Sequence, residues 1–419
     1  MLPYVAGVLG AEGNYFQRYS IAPRSNLFYW DVANDIVKEV ADGKSTYAVD
    51  ISNHSYNFAP TNCYESGLYI PEASDLDKAA NQHPTLLPIV AVGNTAVGCV
   101  VTDTFSSVDI GFQGCKNSIT VGWLFPNERI IENSGRGPTA DGRLKPELVA
   151  KGFQVGTVGP NNAIPAIAYG SSFAAPQVAG LAALIHQKYR QQFGAFPNAS
   201  LVKALLCNTA RDLGNPGPDY IFGFGIPNIL KAIVSLDNNQ FFEDNVSQGV
   251  FKTHDIVVPS GMLNLNVTAD WTDKEGSPIA SKALVNDLDL KLVTPAGDTV
   301  LPWLLNPMQY KNTATRGVDN LNNIEQVTVS FPQAGTYQIV VKGSNVPFGP
   351  QDYSVTYAFQ KREIEITHPN GGEFLDAGSS SVIKWIRNGI DSLCKIQFSS
   401  DSGDMAECCK QLSIFQSNL

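Results

Sequence analysis

Apolar residues recur along this chain in two different rhythms. Up to about residue 235, short apolar runs alternate with segments whose apolar positions return every three or four residues. The runs "NLFYWDV" (26–32), "YAVDISNHSYN" (47–57), "LLPIVAVGN" (86–94), "SITVGWL" (118–124) and "PELVAKG" (146–152) predict strands. "DVANDIVKEVADG" (31–43), "DLDKAANQHP" (75–84), "SSFAAPQVAGLAALIHQKYRQQF" (171–193) and "SLVKALLCNTA" (200–210) predict helices. Strands alternating with helices imply an α/β fold, with a parallel sheet covered on both faces in three layers.

From about residue 241 the period drops to two. "FKTHDIVVPS", "GMLNLNVTADWTD", "NDLDLKLVTPAG", "NIEQVTVSFPQAGTYQIVVKGS" and "DYSVTYAFQK" are short alternating strands broken by Gly, Pro and Asn. "TPAG" and "PQAG" are turns between them. This texture predicts an antiparallel β-sandwich or jelly roll. A third β segment opens at "ITHPNGGEFLDAGSSSVIKW", and the texture fades after it. The expected domains are 1–240, 241–362 and a partial β domain over 363–419.

Composition narrows the function. The 419 residues are 43% hydrophobic and 16% charged, with a net charge of −10, which supports large cores and argues against disorder. An acidic chain without a Lys/Arg cluster is a poor partner for nucleic acid or an anionic membrane. No window reaches the roughly 18 apolar residues of a membrane span. The opening "MLPYVAGVLGAEG" lacks the basic start of a signal peptide. Seven cysteines are irregularly spaced with no CxxC pair, so a zinc site is not expected. Cys63, Cys99 and Cys115 lie in loop-like sequence and could supply one disulfide. Cys207 lies in an apolar helix pattern and reads as core.

The candidate chemistry sits at "AYGSSFAAPQVAG" (168–180). Ser171 or Ser172 could cap the helix by accepting a hydrogen bond from an orphan N–H. The alternative is a nucleophile at a helix N-terminus, where the dipole and free N–H groups favour a developing oxyanion. Spacing alone does not choose between them.

The whole stretch resembles the "GTSMAAPHVAG" signature of the subtilisin-like serine proteases, the subtilases. "SGRGPTADGRLKPELVAKG", "PIVAVGNTA" and "VDISNHSYN" are similar to further segments of that family, and residues 1 to about 235 follow its order. The resemblance implies that Ser172 is the nucleophile and Asn94 the oxyanion donor. It implies that Ser55, Tyr56 and Asn57 pair with substrate backbone, and that Gly93, Gly159 and Gly170 line the cleft. Residues 241–362 resemble the β-barrel of bacterial alkaline subtilases, where such domains bind calcium. That likeness makes Asp270, Asp273, Asp287 and Asp289 candidate calcium ligands, against the alternative of solvated turn carboxylates. The last segment resembles an Ig-like repeat of secreted bacterial proteins.

The resemblance also shows a gap. The family's general base is a His in "HGTHVAG", and here the aligned stretch is "MLPYVAG", which places that position on Met1. The orienting Asp would lie upstream, so a truncated chain is expected, with an unpaired sheet edge and marginal solubility. The other histidines do not substitute. His186 is fourteen residues along the helix from Ser172, about 21 Å away at 1.5 Å per residue. His54 lies beside the cleft strand and reads as a satisfied pocket histidine; His83 points away; His254 and His368 belong to later domains. The expected parent is a secreted serine endopeptidase of protein substrates, inactive in this form. The alternatives are a pseudo-protease that binds peptides and, far behind, an unrelated α/β-hydrolase.

Overall fold

A computed structural model describes residues 2–10, 20–30, 35–57, 63–95, 105–159, 166–369, 378 and 380–388. These divide into two units, residues 1–260 with 264–359, and residues 261–263 with 360–419.

The first unit opens with α1 (Leu2–Gly10), α2 (Ile36–Tyr47), β1 (Ile51–His54), α3 (Pro71–Gln82), β2 (Leu87–Ala91), β3 (Ile119–Leu124) and β4 (Leu148–Lys151). The four strands form one parallel sheet in the order β1-β2-β3-β4. Every residue of β2 and β3 is buried, as continuous apolar strands covered on both faces must be. Residues 26–30, predicted as a strand, have no regular structure. Their aromatic rings pack instead on α2, with Phe28 stacked on Tyr47 at 4.5 Å. Helix α2 runs past its expected stop at Gly43, because that glycine faces Trp30 and an added Cβ would lie 3.2 Å from the ring. β1 is the outer strand of the described sheet. An apolar cavity of about 410 Å³ lies against it, lined by Val5, Leu9, Leu27, Phe28 and Ile51 among others.

After the hairpin β5 (Val155–Thr157) and β6 (Ala166–Ala168) comes α4 (Ser171–Phe193), followed by α5 (Ala199–Asn208) and α6 (Ile229–Asp237). The first ten residues of α4 are buried except Gln177, since the helix runs through the core against all four strands. Pro176 lies inside the helix and leaves Ser172 O, four residues before it, without a helical donor; Ser55 Oγ donates to that carbonyl at 3.0 Å. Gly194 ends the helix in the left-handed region at φ +73°, donating its N–H to Arg190 O. Every residue of α5 is buried, including Lys203.

Two antiparallel sheets follow, making a sandwich-like region. One has the order β11-β10-β15-β8, from β8 (Phe251–Val258), β10 (Asp287–Val293), β11 (Thr299–Val300) and β15 (Gly335–Asn345). The other has the order β14-β9-β16-β7, from β7 (Phe241–Val246), β9 (Asn264–Asp270), β14 (Ile324–Ser330) and β16 (Gln351–Gln360). Leu288, Leu290 and Leu292 of β10 and Ile339 and Val341 of β15 face inward at period two. A small antiparallel pair, β12 (Trp303–Leu304) and β13 (Thr315–Arg316), stands beside them. Among its described residues the second unit holds an antiparallel strand pair, β17 (Glu363–His368) with β18 (Lys384–Asn388).

Among the described residues no helix is long and apolar enough to cross a membrane. Cys207 is a buried free thiol, as expected of core. Cys115 is also free, which takes it out of the three candidates for one disulfide: it is buried and its S–H donates to Asp77 Oδ1 at 2.7 Å. Cys99 and the side chain of Cys63 lie outside the described residues.

Candidate active site

Ser172 is the second residue of α4 and is 6% exposed. Neither serine caps the helix. The cap is Gly170, at φ +125°, which has no side chain to bond the first-turn N–H groups, and the Ser171 N–H is met by Asn94 Oδ1 instead. Ser172 Oγ donates to Ser55 O at 3.3 Å, and Ser55 Oγ returns a hydrogen bond to Ser172 O at 3.0 Å. This reciprocal pair ties the mouth of α4 to the chain leaving β1.

Ser171 has a different task. Its N–H and its Oγ both donate to Asn94 Oδ1, at 2.8 and 3.1 Å, and its Oγ accepts from Gly93 N–H at 3.2 Å. A backbone N–H only donates, so the Asn94 atom it meets is the oxygen. The amide NH₂ of Asn94 is thereby turned the other way, and the residue is exposed. Gly170 makes the fit possible: a Cβ there would lie 3.2 Å from Asn94 Oδ1. Gly93, at φ +110°, is required even more strictly, because a Cβ would fall 2.1 Å from Asp109 Cγ.

Asp109 was not legible as a site residue. It is 1% exposed and accepts from Asn94 N–H at 3.3 Å, from Thr95 Oγ1 and from Asn57 Nδ2. Burial pushes its carboxyl up from the ordinary range while those hydrogen bonds oppose the shift. One carboxylate thus joins the Asn94 turn to Asn57. Nothing in "SSVDIGF" marks this aspartate, since its partners lie 14 and 52 residues away along the chain.

Ser55, Tyr56 and Asn57, expected within a strand over 47–57, lie just past β1, which ends at His54. Two of their groups are already engaged: Ser55 O accepts from Ser172, and Tyr56 O accepts from Gln113 Nε2 at 3.0 Å. Gly159 is buried two residues beyond β5. His54 is a satisfied histidine. Its Nδ1 meets Tyr56 OH at 2.8 Å, its Nε2 meets Ser52 Oγ at 3.0 Å, and burial lowers its pKa to about 4. His186 is likewise lowered to about 4 by burial. His254 Nε2 pairs with Tyr353 OH, and His83 ends α3. Met1 lies outside the described residues.

The four aspartates singled out for calcium each have an ammonium partner. Asp270 pairs with Lys203 at 3.4 Å, Asp287 with Lys282 at 3.3 Å, Asp289 with Lys342 at 3.9 Å, and Asp273 with Lys116. Among the described residues no three His, Cys, Asp or Glu side chains gather as a metal site requires. The set as arranged does not fit one shared cation, and the chemistry of Ser172 needs none of the four.

A serine in the first turn of a helix, with an asparagine amide held beside it, is an arrangement compatible with serine-hydrolase chemistry. The comparisons agree. The model of the subtilase family (peptidase S8) matches residues 5–225, just over half of the chain, and the chain belongs to that family. It is 32% identical over 262 residues to the serine protease/ABC transporter B family protein tagA of Dictyostelium discoideum, covering 53% of this chain and 15% of that protein. The tagB protein of the same organism is 26% identical over 324 residues and is spanned to 17% of its length. The chain thus spans under a fifth of these relatives. Subtilisin DY of Bacillus licheniformis is 26% identical over 235 residues, 55% of this chain and 76% of that protein. Among solved structures, the patellamide maturation protease PatA is matched with a TM-score of 0.45 at 19% identity, over 56% of this chain and 83% of that one.

Proposed function

We propose that this protein is a serine endopeptidase that cleaves protein substrates through an acyl-enzyme on Ser172. Ser172 Oγ attacks the scissile carbonyl carbon, and its proton passes to a general base. The carbonyl oxygen becomes an oxyanion between Asn94 Nδ2 and the backbone N–H of Ser172, which as a first-turn N–H has no acceptor within the helix. The observation that carries this reading is the Ser171–Asn94 clasp. It fixes the amide by its oxygen and leaves its donors for a ligand. A neutral amide suits the role because it stabilises the charge only when the charge forms.

The base belongs to residues outside those described. Ser172 Oγ is hydrogen-bonded to a carbonyl, and His54, the histidine next to it in the β1 segment, has both ring nitrogens engaged. On this reading the enzyme acts in a secreted setting. The same observation favours a second reading, a peptide-binding module without turnover.

Peptide-library cleavage decides between the two. A longer version carrying a subtilase-type His and Asp segment ahead of α1 is expected to cut, and its Ser172→Ala variant is not. Saturable peptide binding with no cleavage by the longer version would install the binding module instead.

A further inference from the structure

The segment "GPTADGRLKPE" (137–147) carries four charged residues, and the chemistry of Ser172 uses none of them. Their side chains are nearly inaccessible: Asp141 4%, Arg143 2%, Lys145 1% and Glu147 3% exposed. They pair among themselves, Arg143 Nε with Asp141 at 2.7 Å and Lys145 Nζ with Glu147 at 2.6 Å. The pairs then reach outward into the sandwich-like region. Asp141 Oδ2 accepts from Ala283 N–H at 3.0 Å, and Asn322 Oδ1 accepts from Leu144 N–H at 2.8 Å. Gly142, at φ +93°, sits so close that a Cβ would lie 3.0 Å from Pro307 and 3.1 Å from Leu321.

The ionic chain continues through α5. Lys203 lies 3.6 Å from Glu147 Oε1 and 3.4 Å from Asp270 Oδ2 at the end of β9, and it donates to Lys116 O at 2.9 Å. Lys116 in turn pairs with Asp273, both fully inaccessible. Beside that pair, Asn117 and Asp273 exchange two hydrogen bonds, Asn117 Nδ2 to Asp273 O at 2.7 Å and Asp273 N–H to Asn117 Oδ1 at 2.8 Å. Asp273 also accepts from Val285 and Asn286 N–H at 2.9 and 2.8 Å. The apolar core is shared too: one cluster contains Ile119, Leu201 and Leu205 together with Leu305, Ala314 and Ile324.

We propose that residues 264–359 are an obligate folding partner of the protease core, seated on segment 137–147 and α5, and not a separable appendage. The reason is electrostatic. Without Asp270 and Asp273, Lys116 loses its ion-pair partner and Lys203 keeps only the more distant Glu147. A buried ammonium without a carboxylate is far costlier than a paired one, so the core alone does not hold this arrangement. Geometry adds specificity, since Asn117, Asn322 and Asp141 accept only one register of the later layer.

The test is hydrogen exchange by mass spectrometry on the full chain in mild denaturant, and it needs no catalytic activity. Peptides from α4 and β3 and peptides from β9 and β15 are expected to exchange through one shared opening. Asp270→Asn is expected to lower the folding constant about 10²–10³-fold and to accelerate both sets equally. Lys203→Met with Asp270→Leu removes both charges and is expected to recover at least tenfold of that loss. Should Asp270→Asn not fold, Asn322→Ala removes one neutral contact and is expected to accelerate both sets by a smaller, equal factor. Acceleration confined to β9 and β15, with α4 and β3 as protected as in the parent, overturns the proposal. So does a double variant no better than the single one.

Discussion

Two regions of this molecule are built on opposite electrical principles. Around Ser172 the groups are neutral: two serines, an asparagine amide, backbone carbonyls, and glycines at φ +110° and +125°. A buried carboxyl group, Asp109, accepts from the backbone of the Asn94 turn. Lys116, Lys145, Lys203, Glu147, Asp270 and Asp273 are buried together as ion-pairing groups. The difference follows from what each region must do. A site that stabilises a transient oxyanion needs aimed neutral donors and room, because a permanent charge would bind the ground state as well. A seam between layers needs one register. Buried charges give poor net stability but penalise every misfit heavily.

The sharpest way to break this contrast is to remove one charge from the seam. Lys203→Met or Asp270→Asn alone is expected to cost about 3–5 kcal/mol in denaturant unfolding, with the local geometry at Asn94 unchanged once folded. In the site, Asn94→Ala is expected to slow covalent labelling of Ser172 by about 10²–10³-fold, the loss of kcat known for one such donor in subtilisin, and to cost about 1–3 kcal/mol in unfolding, because the buried Ser171 N–H and hydroxyl lose their acceptor. Gly93→Ala should lose both, since its Cβ would meet Asp109 within 2.1 Å at a positive φ.

A pH series sharpens the comparison further. His54 has an unfolded pKa of 6.5 and a folded value of about 4. Between those values the unfolded chain binds a proton that the folded chain refuses. The contribution is therefore fully present above pH 6.5 and is lost as pH falls towards 4, about 3 kcal/mol at full extent. His186 acts in the same direction. Asp270, raised by burial to about 7, has the opposite sign between pH 4 and 7. The measurement is thus a difference: His54→Gln is expected to flatten the acid limb of the unfolding profile. The smallest effect is chemical. Burial pushes the Cys115 and Cys207 thiols up, so alkylation mapped by mass spectrometry should reach them only on unfolding.

The parts of the fold legible in the sequence are those written in local pattern. β2 is wholly apolar and β3 is so but for Thr120, and α4 announces itself by its glycine, its serines and its long apolar run. The aromatic run at 26–30 misled because Phe28 and Trp30 pack on Tyr47 of α2 instead of pairing in a sheet. Ser172 and Asn94 could be named because each sits in a short motif. Asp109 could not, because its meaning comes from Asn57 and Thr95 meeting it in space. The likeness to the β-barrel of alkaline subtilases suggested a cation at four aspartates of the later region. Lys116 and Lys203, which answer two of them, come from over 60 residues earlier in the chain.

The claim at the centre of this account is that Ser172 is a nucleophile facing a prepared oxyanion donor. Its most direct test is a fluorophosphonate probe with the labelled residue mapped by mass spectrometry. The chain and a version carrying a subtilase-type His and Asp segment ahead of α1 would be compared. The account predicts slow or no labelling of the chain, rapid labelling of the longer version at Ser172, and loss of that labelling in Ser172→Ala. Labelling of neither version, with both folded, would contradict it.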